Sequence, residues 1–531
     1  MFFTKSLEYN YFKRLTAAVL GLVLLCVCFL SGCSSDSYSL YFGVNEMPKN
    51  IDPQKASLQA ELLAVRNCFR GLYKLDTNSD AVPDLAQKTD VSTDGLTYTF
   101  TLTDAEWKDE TKVTSDDFLF AIERASDPVT GSPSVQLLTN IVGVSERLNG
   151  NGHGNIGVSA PDSKTLVIKL VRPDETFLSK LTQAVFMPCN RKFFEECKGK
   201  YGLDRQHILT NGCYYPSQWT ENRHLKLTIV NKEDETKPQN VYLTVSSTGK
   251  NNIQRIKDDE IGMTVDSVNS AFGINENDYT VTSLYRQNYA LVFNKSTEVG
   301  ANKQLTDAFA KAIHREYYKI NMDQRFTVAD SVLPKDCILL DKAIGSLNIT
   351  KYGYELDSAA AREDFLNAIK QLKNKKLPSL NVLCVENEEI KSVLNSIVSN
   401  WQSNLGAYVN ITTVSTESAL LQKVKSGDFT VALVPLSGSA TDILSLFANR
   451  TSGLYINNAE YDGLVNGLAN IDNRTAVIKA IEKCLGILSE ESSVIPIIST
   501  PTAFVYSSVY QNVHFSILDG TVDFSIIYKI Q

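Results

Sequence analysis

The sequence predicts a strand-rich α+β first part followed by an α/β second part. Three observations lead there. Short segments of strict apolar–polar alternation recur in the first half. The rhythm changes to helical spacing in the second half. One continuously apolar segment, "FTVALVPL" from Phe429 to Leu436, then reads as a strand buried on both faces. The 531 residues exceed what one hydrophobic core usually holds, so more than one domain is expected.

The elements follow in order. In "DGLTYTFTLTD" (Asp94 to Asp104), Leu96, Tyr98, Phe100 and Leu102 alternate with polar residues after an Asp-Gly turn, the pattern of a half-buried strand. In "VTSDDFLFAIERASDP", Thr114 is a helix N-cap with Asp117 three residues on. Phe118, Ala121, Ile122 and Ala125 share one face, and Asp127-Pro128 stops the helix. "KTLVIKLV" (Lys164 to Val171) and "LKLTIVN" (Leu225 to Asn231) are further strands. In the second half, Leu305, Ala308, Phe309, Ala312 and Ile313 line one helical face, and "AAAREDFLNAIKQL" is also helical. After the short strand "NVLCV" comes a helix with Ile390, Val393, Leu394, Ile397 and Trp401 on one face and Gly406 at its end. "YVNITTV", the helix "ESALLQKV" and the apolar strand complete a strand–helix–strand–helix–strand series, which predicts a parallel sheet covered on both faces.

The N-terminus is of another kind. Lys5, Lys13 and Arg14 precede the apolar run Leu15 to Leu30, which ends in "LSGC" at Cys33. Basic residues, an apolar stretch of this length and small residues before a cysteine make residues 1–32 a lipoprotein signal peptide. Cys33 is then the lipidated first residue and 33–37 a tether. No later run reaches the roughly 18 apolar residues that read as a membrane-spanning helix. Removing residues 1–32 takes the chain from 52 basic and 60 acidic residues to 49 and 59, a formal charge of −10. That balance argues against a nucleic-acid partner. Of ten cysteines, Cys26 and Cys28 leave with the signal and Cys33 carries lipid. Cys68, Cys189, Cys197, Cys213, Cys337, Cys384 and Cys484 remain. An odd number cannot all pair, and buried free thiols are expected, with a Cys189–Cys197 bridge as the alternative.

Motifs for chemistry are weak. "GHGNIG" (Gly152 to Gly157) matches a dinucleotide fingerprint, but a polar stretch precedes it and Pro161 and a strand follow, so a loop is expected. His153, His207, His224, His314 and His514 stand singly, without metal-ligand spacing. No nucleophile, base and orienting acid assemble, so no metal, no cofactor and no catalysis are expected.

The ordered segments "IDP" at Ile51, "FRGLYKLDTNSDAVPDLA", "STDGLTYTFTL", "EWKDETKVTSDDFLFAIERASDPVTGSPS", "ILTNGCYYPSQW", "DDEIGMT", "NKQLTDAFAKAIHREY", "SIVSNWQSNLGAYVNI" and "SVIPI" resemble the extracellular solute-binding proteins of family 5. These serve peptide and nickel ABC importers, and the chain is most similar to the oligopeptide-binding branch. The resemblance covers nearly the whole mature chain. It implies an α/β protein with an α+β extra domain, in a two-lobed periplasmic-binding-protein-like fold (type II, cluster C-like). Residues 38–75, 206–285 and 500–531 would form lobe I, 76–205 its extra domain, and 286–499 lobe II. The implied function is a monomeric, lipid-anchored protein on the outer face of the cell membrane, or in the periplasm of a double-membraned cell. It would capture a peptide or related small solute by hinge closure and pass it to an ABC permease and its ATPase. A nickel chelate, a sugar, or a surface adhesion or signalling role without transport are the alternatives.

Departures from the family pattern bear on the ligand. Arg70 stands where relatives often carry an acid before Gly71-Leu72. Around Leu433 the strand is apolar where an arginine is common. No acid lies between Asp428 and Asp442, where a carboxylate usually meets a peptide's α-amine. Ser499 and Thr500 replace common tyrosines. The ligand-lining candidates are therefore Arg70 and Tyr73 in lobe I, Leu433, Pro435, Ser437, Ser439 and Asp442 in lobe II, and Ser499 and Thr500 at the return crossing. An unpaired charge is costly to bury, so the missing acid points to an anionic or less zwitterionic ligand, with Arg70 as a fork for its carboxylate, or to a peptide gripped by its backbone.

Overall fold

The computed structural model describes residues 38–530, apart from 151–154, 268–273, 276, 323–325, 351–355, 438–442, 450–451, 469–470 and 472. Ten strands carry the architecture. They are β1 (Ser39–Gly43), β2 (Tyr214–Thr220), β3 (His224–Ile229), β4 (Asn240–Thr244), β5 (Met263–Ser267), β6 (Tyr279–Phe293), β7 (Leu380–Val385), β8 (Val409–Val414), β9 (Val431–Ser437) and β10 (Val494–Ser507). They form one mixed sheet in the order β8-β7-β9-β6-β10-β5-β1-β4-β3-β2, with Thr327–Val328 added beside β10.

Two parallel trios make up most of it: β8, β7 and β9 at one end, and β5, β1 and β4 towards the other. The long antiparallel pair β6 and β10 joins them. The three strands of the predicted series are parallel as expected, β8 and β9 each to β7, within a sheet that is mixed as a whole. β9 runs parallel to β7 but antiparallel to β6, and its apolar run is buried by neighbours on both sides as well as by helices on its faces. The chain is two-lobed, and each lobe has its own core. One core runs from Tyr289 to Ile498 and centres on Phe309 and Trp401. The other draws on Leu40 to Val265 and returns with Phe504, Val522, Phe524 and Ile527. A hairpin, Ile338–Leu339 with Lys342–Ala343, reaches from one to the other. Its Ile338 packs on Leu75 and Leu518, and Lys342 pairs with Asp80 at 3.1 Å.

Local signals explain the elements. In the helix α1 (Ser115–Ala125), Asp117 closes the capping box by accepting from the Thr114 amide at 2.8 Å, and Trp107 Nε1 donates to the same carboxylate at 3.3 Å. That accounts for the spacing between Trp107 and Asp117. Burial pushes the Asp117 pKa up to about 6 despite these donors. The helix α2 (Glu388–Leu405) starts at its N-cap Asn387 and ends at Gly406, whose φ of 70° suits only a residue free to adopt the left-handed region. The helix α3 (Glu417–Ser426) lies between β8 and β9.

An antiparallel sheet, Ala86–Val91, Thr97–Leu102, Thr165–Lys169 and Val158–Asp162 in that order, packs with α1 beside the first lobe. A buried ion pair ties it down. Arg124 Nη2 lies 2.6 Å from Asp52 Oδ2 of the "IDP" motif, and Arg124 Nη1 donates to Gln54 at 2.7 Å. The guanidinium stacks on Phe194, 4.0 Å from the ring centre. The Thr-Asn-Gly motif also has a packing cause. Asn211 brackets the Arg70 backbone, accepting from its N–H at 2.9 Å and donating to its C=O at 3.0 Å. A Cβ at Gly212 would sit 2.5 Å from the Cys68 carbonyl carbon. Cys68, Cys189, Cys197, Cys213, Cys384 and Cys484 are free thiols, and Cys337 Sγ lies 3.5 Å from the Arg286 carbonyl oxygen. Cys213 is exposed and the others, Cys189 and Cys197 included, are buried. The first three residues of "GHGNIG" lie outside the described residues. Gly157 leads into an antiparallel strand, not a helix.

Candidate functional site at the strand crossing

Strand direction locates the site. β6 leaves the first lobe and enters the second, and β10 returns. β5 is antiparallel to β10 and ends opposite it, Ser267 facing Thr502. β9 is antiparallel to β6 and ends with Ser437 facing Gln287, which itself faces Thr500. The carboxyl ends of both parallel trios thus converge on the crossing segments, 285–288 and 499–502. Open α/β sheets bind ligands outside the carboxyl ends of their strands, because loops and helix N-termini gather there. The β6–β10 register also shifts here, between Tyr285 and Gln287, a bulge that bends the ribbon between the lobes.

A polar row occupies this edge. Ser437, Gln287 and Thr500 sit side by side on β9, β6 and β10. Thr500 Oγ1 donates to Gln287 Oε1 at 3.2 Å, and one layer deeper Ser499 Oγ donates to Asn288 Oδ1 at 2.6 Å. Asn288 in turn donates to the Ser331 carbonyl at 2.8 Å, so the buried amide is satisfied. Glu417, the first residue of α3, reaches the row from the helix. Its Oε1 accepts from the Tyr289 hydroxyl at 2.6 Å, and the Gln287 amide stands 3.4 Å from Oε2. Burial, and then the adjacent carboxylate, raise the Tyr289 pKa well above the ordinary phenol range, so this hydroxyl remains a donor.

The sequence-predicted residues fare differently. Ser437 is exposed at the row, and Thr500 belongs to it. Ser499 is buried beneath, 8% exposed. Leu433 and Pro435 are both buried within β9, below the exposed end that Ser437 forms. Tyr73 is 5% exposed, packs edge-on against Phe100 and is hydrogen-bonded to Thr89, so it belongs to the core under the extra sheet. Arg70 lies away from the row and is partly exposed. Its Nη2 and Nε lie 2.7 and 3.0 Å from Asp84 Oδ1, so its charge is already compensated. Ser439, Asp442 and Cys33 lie outside the described residues. Gln287, Asn288, Tyr289 and Glu417 were missed by sequence reasoning. Only the T-E pair opening "TESALLQKV" signalled anything, and it signalled a capped helix start.

Comparison with known proteins places this geometry. The model of the bacterial extracellular solute-binding proteins, family 5 (Middle), matches residues 80–458, well over half of the chain. The chain belongs to that family. Among family 5 relatives, a dipeptide-binding protein of Lactococcus lactis subsp. cremoris is 23% identical over 84% of both chains. Among solved structures, the unliganded open form of the periplasmic murein tripeptide binding protein MppA aligns with a TM-score of 0.71 at 20% identity, covering 93% of this chain and 98% of that one. Listeria monocytogenes OppA bound to peptide aligns with 0.67 at 21% identity, covering 93% and 99%. At these identities the structural likeness establishes the two-lobed fold. The family is made of solute-binding proteins. Among the described residues no helix is long and apolar enough to cross a membrane, and no group of three His, Cys, Asp or Glu side chains is placed to hold a metal.

Proposed function

We propose that this protein is the peptide-capturing component of an ABC importer. It would be held on the outer face of the membrane by lipid on Cys33 and would close its two lobes over a peptide at the strand crossing. The carrying observation is the convergence of both parallel trios on 285–288 and 499–502, in a family 5 chain whose relatives are named for dipeptide and oligopeptide binding. The hinge is the antiparallel pair β6 and β10: β10 enters both cores, with Ile498 in one and Phe504 in the other, and β6 pairs with it along the whole crossing. The lobe limits that fit this reading are 38–75, 206–285 and 500–531 for lobe I, 76–205 for the extra domain, and 286–499 for lobe II. A bound peptide would be handed, from a monomeric binder, to a permease driven by an ATPase.

Native mass spectrometry of the full chain, purified in detergent from its own cells, tests the reading. Retained masses of a few residues that fragment as peptides are expected, together with a diacylglycerol-type mass increment on Cys33. Retention of a sugar or a nickel chelate instead, or no gain in thermal stability with any member of a tri- to pentapeptide library, overturns it.

A further inference from the structure

The chain enters lobe I at the amino edge of its sheet, and four exposed apolar side chains gather there. Tyr38 precedes β1, and its carbonyl accepts from the Gln239 N–H at 2.8 Å, just before β4. The Gln239 carbonyl accepts from the Ile229 N–H at 3.1 Å, at the end of β3, so Val230 lies beside the entry point. On its other side Tyr38 stacks on Tyr510, with ring centres 6.3 Å apart. The short strand Tyr510–Gln511 pairs with Tyr528–Lys529, and the Ile530 N–H donates to the Val509 carbonyl at 2.9 Å. Val230, Val509, Tyr528 and Ile530 are between 40% and 55% exposed. Tyr528 and Ile530 are two residues apart on extended chain, so they project to the same side. The charges beside them are mixed, Lys232, Lys237 and Lys529 with Glu233, Asp234 and Glu235. Without an excess of lysine, attraction to anionic headgroups is not the basis of a contact here, and apolar contact is.

The length of chain ahead of this edge identifies what covers it. Cys33 lies five residues before Tyr38. Five residues span at most about 18 Å in any conformation, and the headgroup layer of a bilayer takes up about 5–7 Å of that. With a diacylglycerol on Cys33, Tyr38 is held within about 11–13 Å of the lipid surface. β1 alone, five residues long, extends about 17 Å. β1, β4 and β5 run parallel, and their amino ends lie towards this edge. So short a connection cannot pass along the sheet and bring the opposite, carboxyl edge down to the lipid. Exposed apolar residues scattered singly need no explanation, but four around the root of a lipid tether form a patch. Tyrosine, with an apolar ring and a polar tip, suits the level of the headgroups.

We propose that the amino edge of lobe I, marked by Val230, Val509, Tyr528 and Ile530, lies against the lipid surface of the membrane that holds Cys33. This rests on the lipidation of Cys33 proposed above and adds the face that meets the bilayer. The crossing segments stand at the carboxyl edge, where β5 ends opposite Thr502. In this pose the cleft opens away from the lipid, on the side from which a free peptide arrives.

Tryptophan fluorescence of the full lipidated chain tests this, in phosphatidylcholine vesicles with and without bromine on the upper acyl chains. Bromine quenches a tryptophan that reaches it. Trp107 and Trp401 are buried, and Trp219 stands beside the Thr220–His224 turn at the carboxyl edge, so the native signal is expected to change little. Tyr528→Trp and Ile530→Trp are each expected to lose their added emission in the brominated vesicles. Val129→Trp, at a 93% exposed position on the extra domain, is expected to keep its own. If both edge variants emit equally in the two kinds of vesicle, while intact mass shows lipid on Cys33, the proposal is overturned and the anchor stands. The edge then faces a protein partner. Equal quenching of Val129→Trp also overturns it, because the chain then lies on lipid with no fixed face. A chain without lipid on Cys33 overturns this proposal and the anchoring reading together.

Discussion

Replacing Arg124 with methionine should destabilise the first lobe by about 3–5 kcal/mol, the usual cost of removing one partner of a buried ion pair. The geometry puts this site at the severe end. The two side chains are 8% and 2% exposed, and Arg124 bonds both Asp52 oxygens, at 2.6 and 3.3 Å. It also holds Gln54 at 2.7 Å and lies against Phe194 and Tyr201. Without it, Asp52 keeps one backbone donor, the Gln54 N–H at 3.1 Å, against the full cost of a buried carboxylate. Removing both charges should be cheaper than removing one, so Arg124→Met with Asp52→Asn should recover about 1–2 kcal/mol of the single variant's loss. Urea unfolding of the full chain in detergent, followed by fluorescence, can read this lobe. Trp107 and Trp219 belong to its core and Trp401 to the other, so a Trp401→Phe background isolates the signal. A single-variant loss below about 1 kcal/mol, or a double variant worse than the single, would refute the claim that an orphaned charge is the cause.

Four further outcomes follow from the same structure. Asp117 titrates near 6 when folded, against 3.8 as its ordinary value, so the folded state binds the extra proton. Stability should therefore rise as pH falls from about 6 to about 4, and Asp117→Asn should flatten that slope in a pH series of unfolding curves. Maleimide should label one cysteine quickly among Cys68 and the six downstream of it in the native chain, at Cys213, and all seven after unfolding in urea, as counted by mass. Burial pushes the Cys189 thiol up to about 12 and the Cys384 and Cys484 thiols up to about 11, which keeps them protonated as well as hidden. Gly212→Ala should cost about 2–3 kcal/mol in urea unfolding, since its methyl meets rigid backbone at 2.5 Å rather than a movable side chain. Arg70→Leu should leave peptide affinity within about twofold by titration, while Asp84, stripped of its partner, lowers the thermal midpoint.

How far the sequence reached depended on range. Helix α1 with its Thr114–Asp117 cap, the face of α2 from Ile390 to Trp401, and the alternating strand at Thr97–Leu102 were legible, because capping and burial periodicity act within one or two turns of chain. The ordered family segments carried the two-lobed fold. The partners of Arg70 and Glu417 were not legible. Arg70 has several carboxylates downstream in sequence, and only the fold places Asp84 against its guanidinium. Glu417 and Tyr289 are 128 residues apart and meet because β6 crosses between lobes beside β9. The apolar run of β9 announced its burial but not which strand would cover each edge. A sequence sets which residues prefer burial and where helices start and stop. Whether a given charge is already neutralised depends on what the fold brings opposite it, and at this strand crossing that contact is made only by tertiary structure.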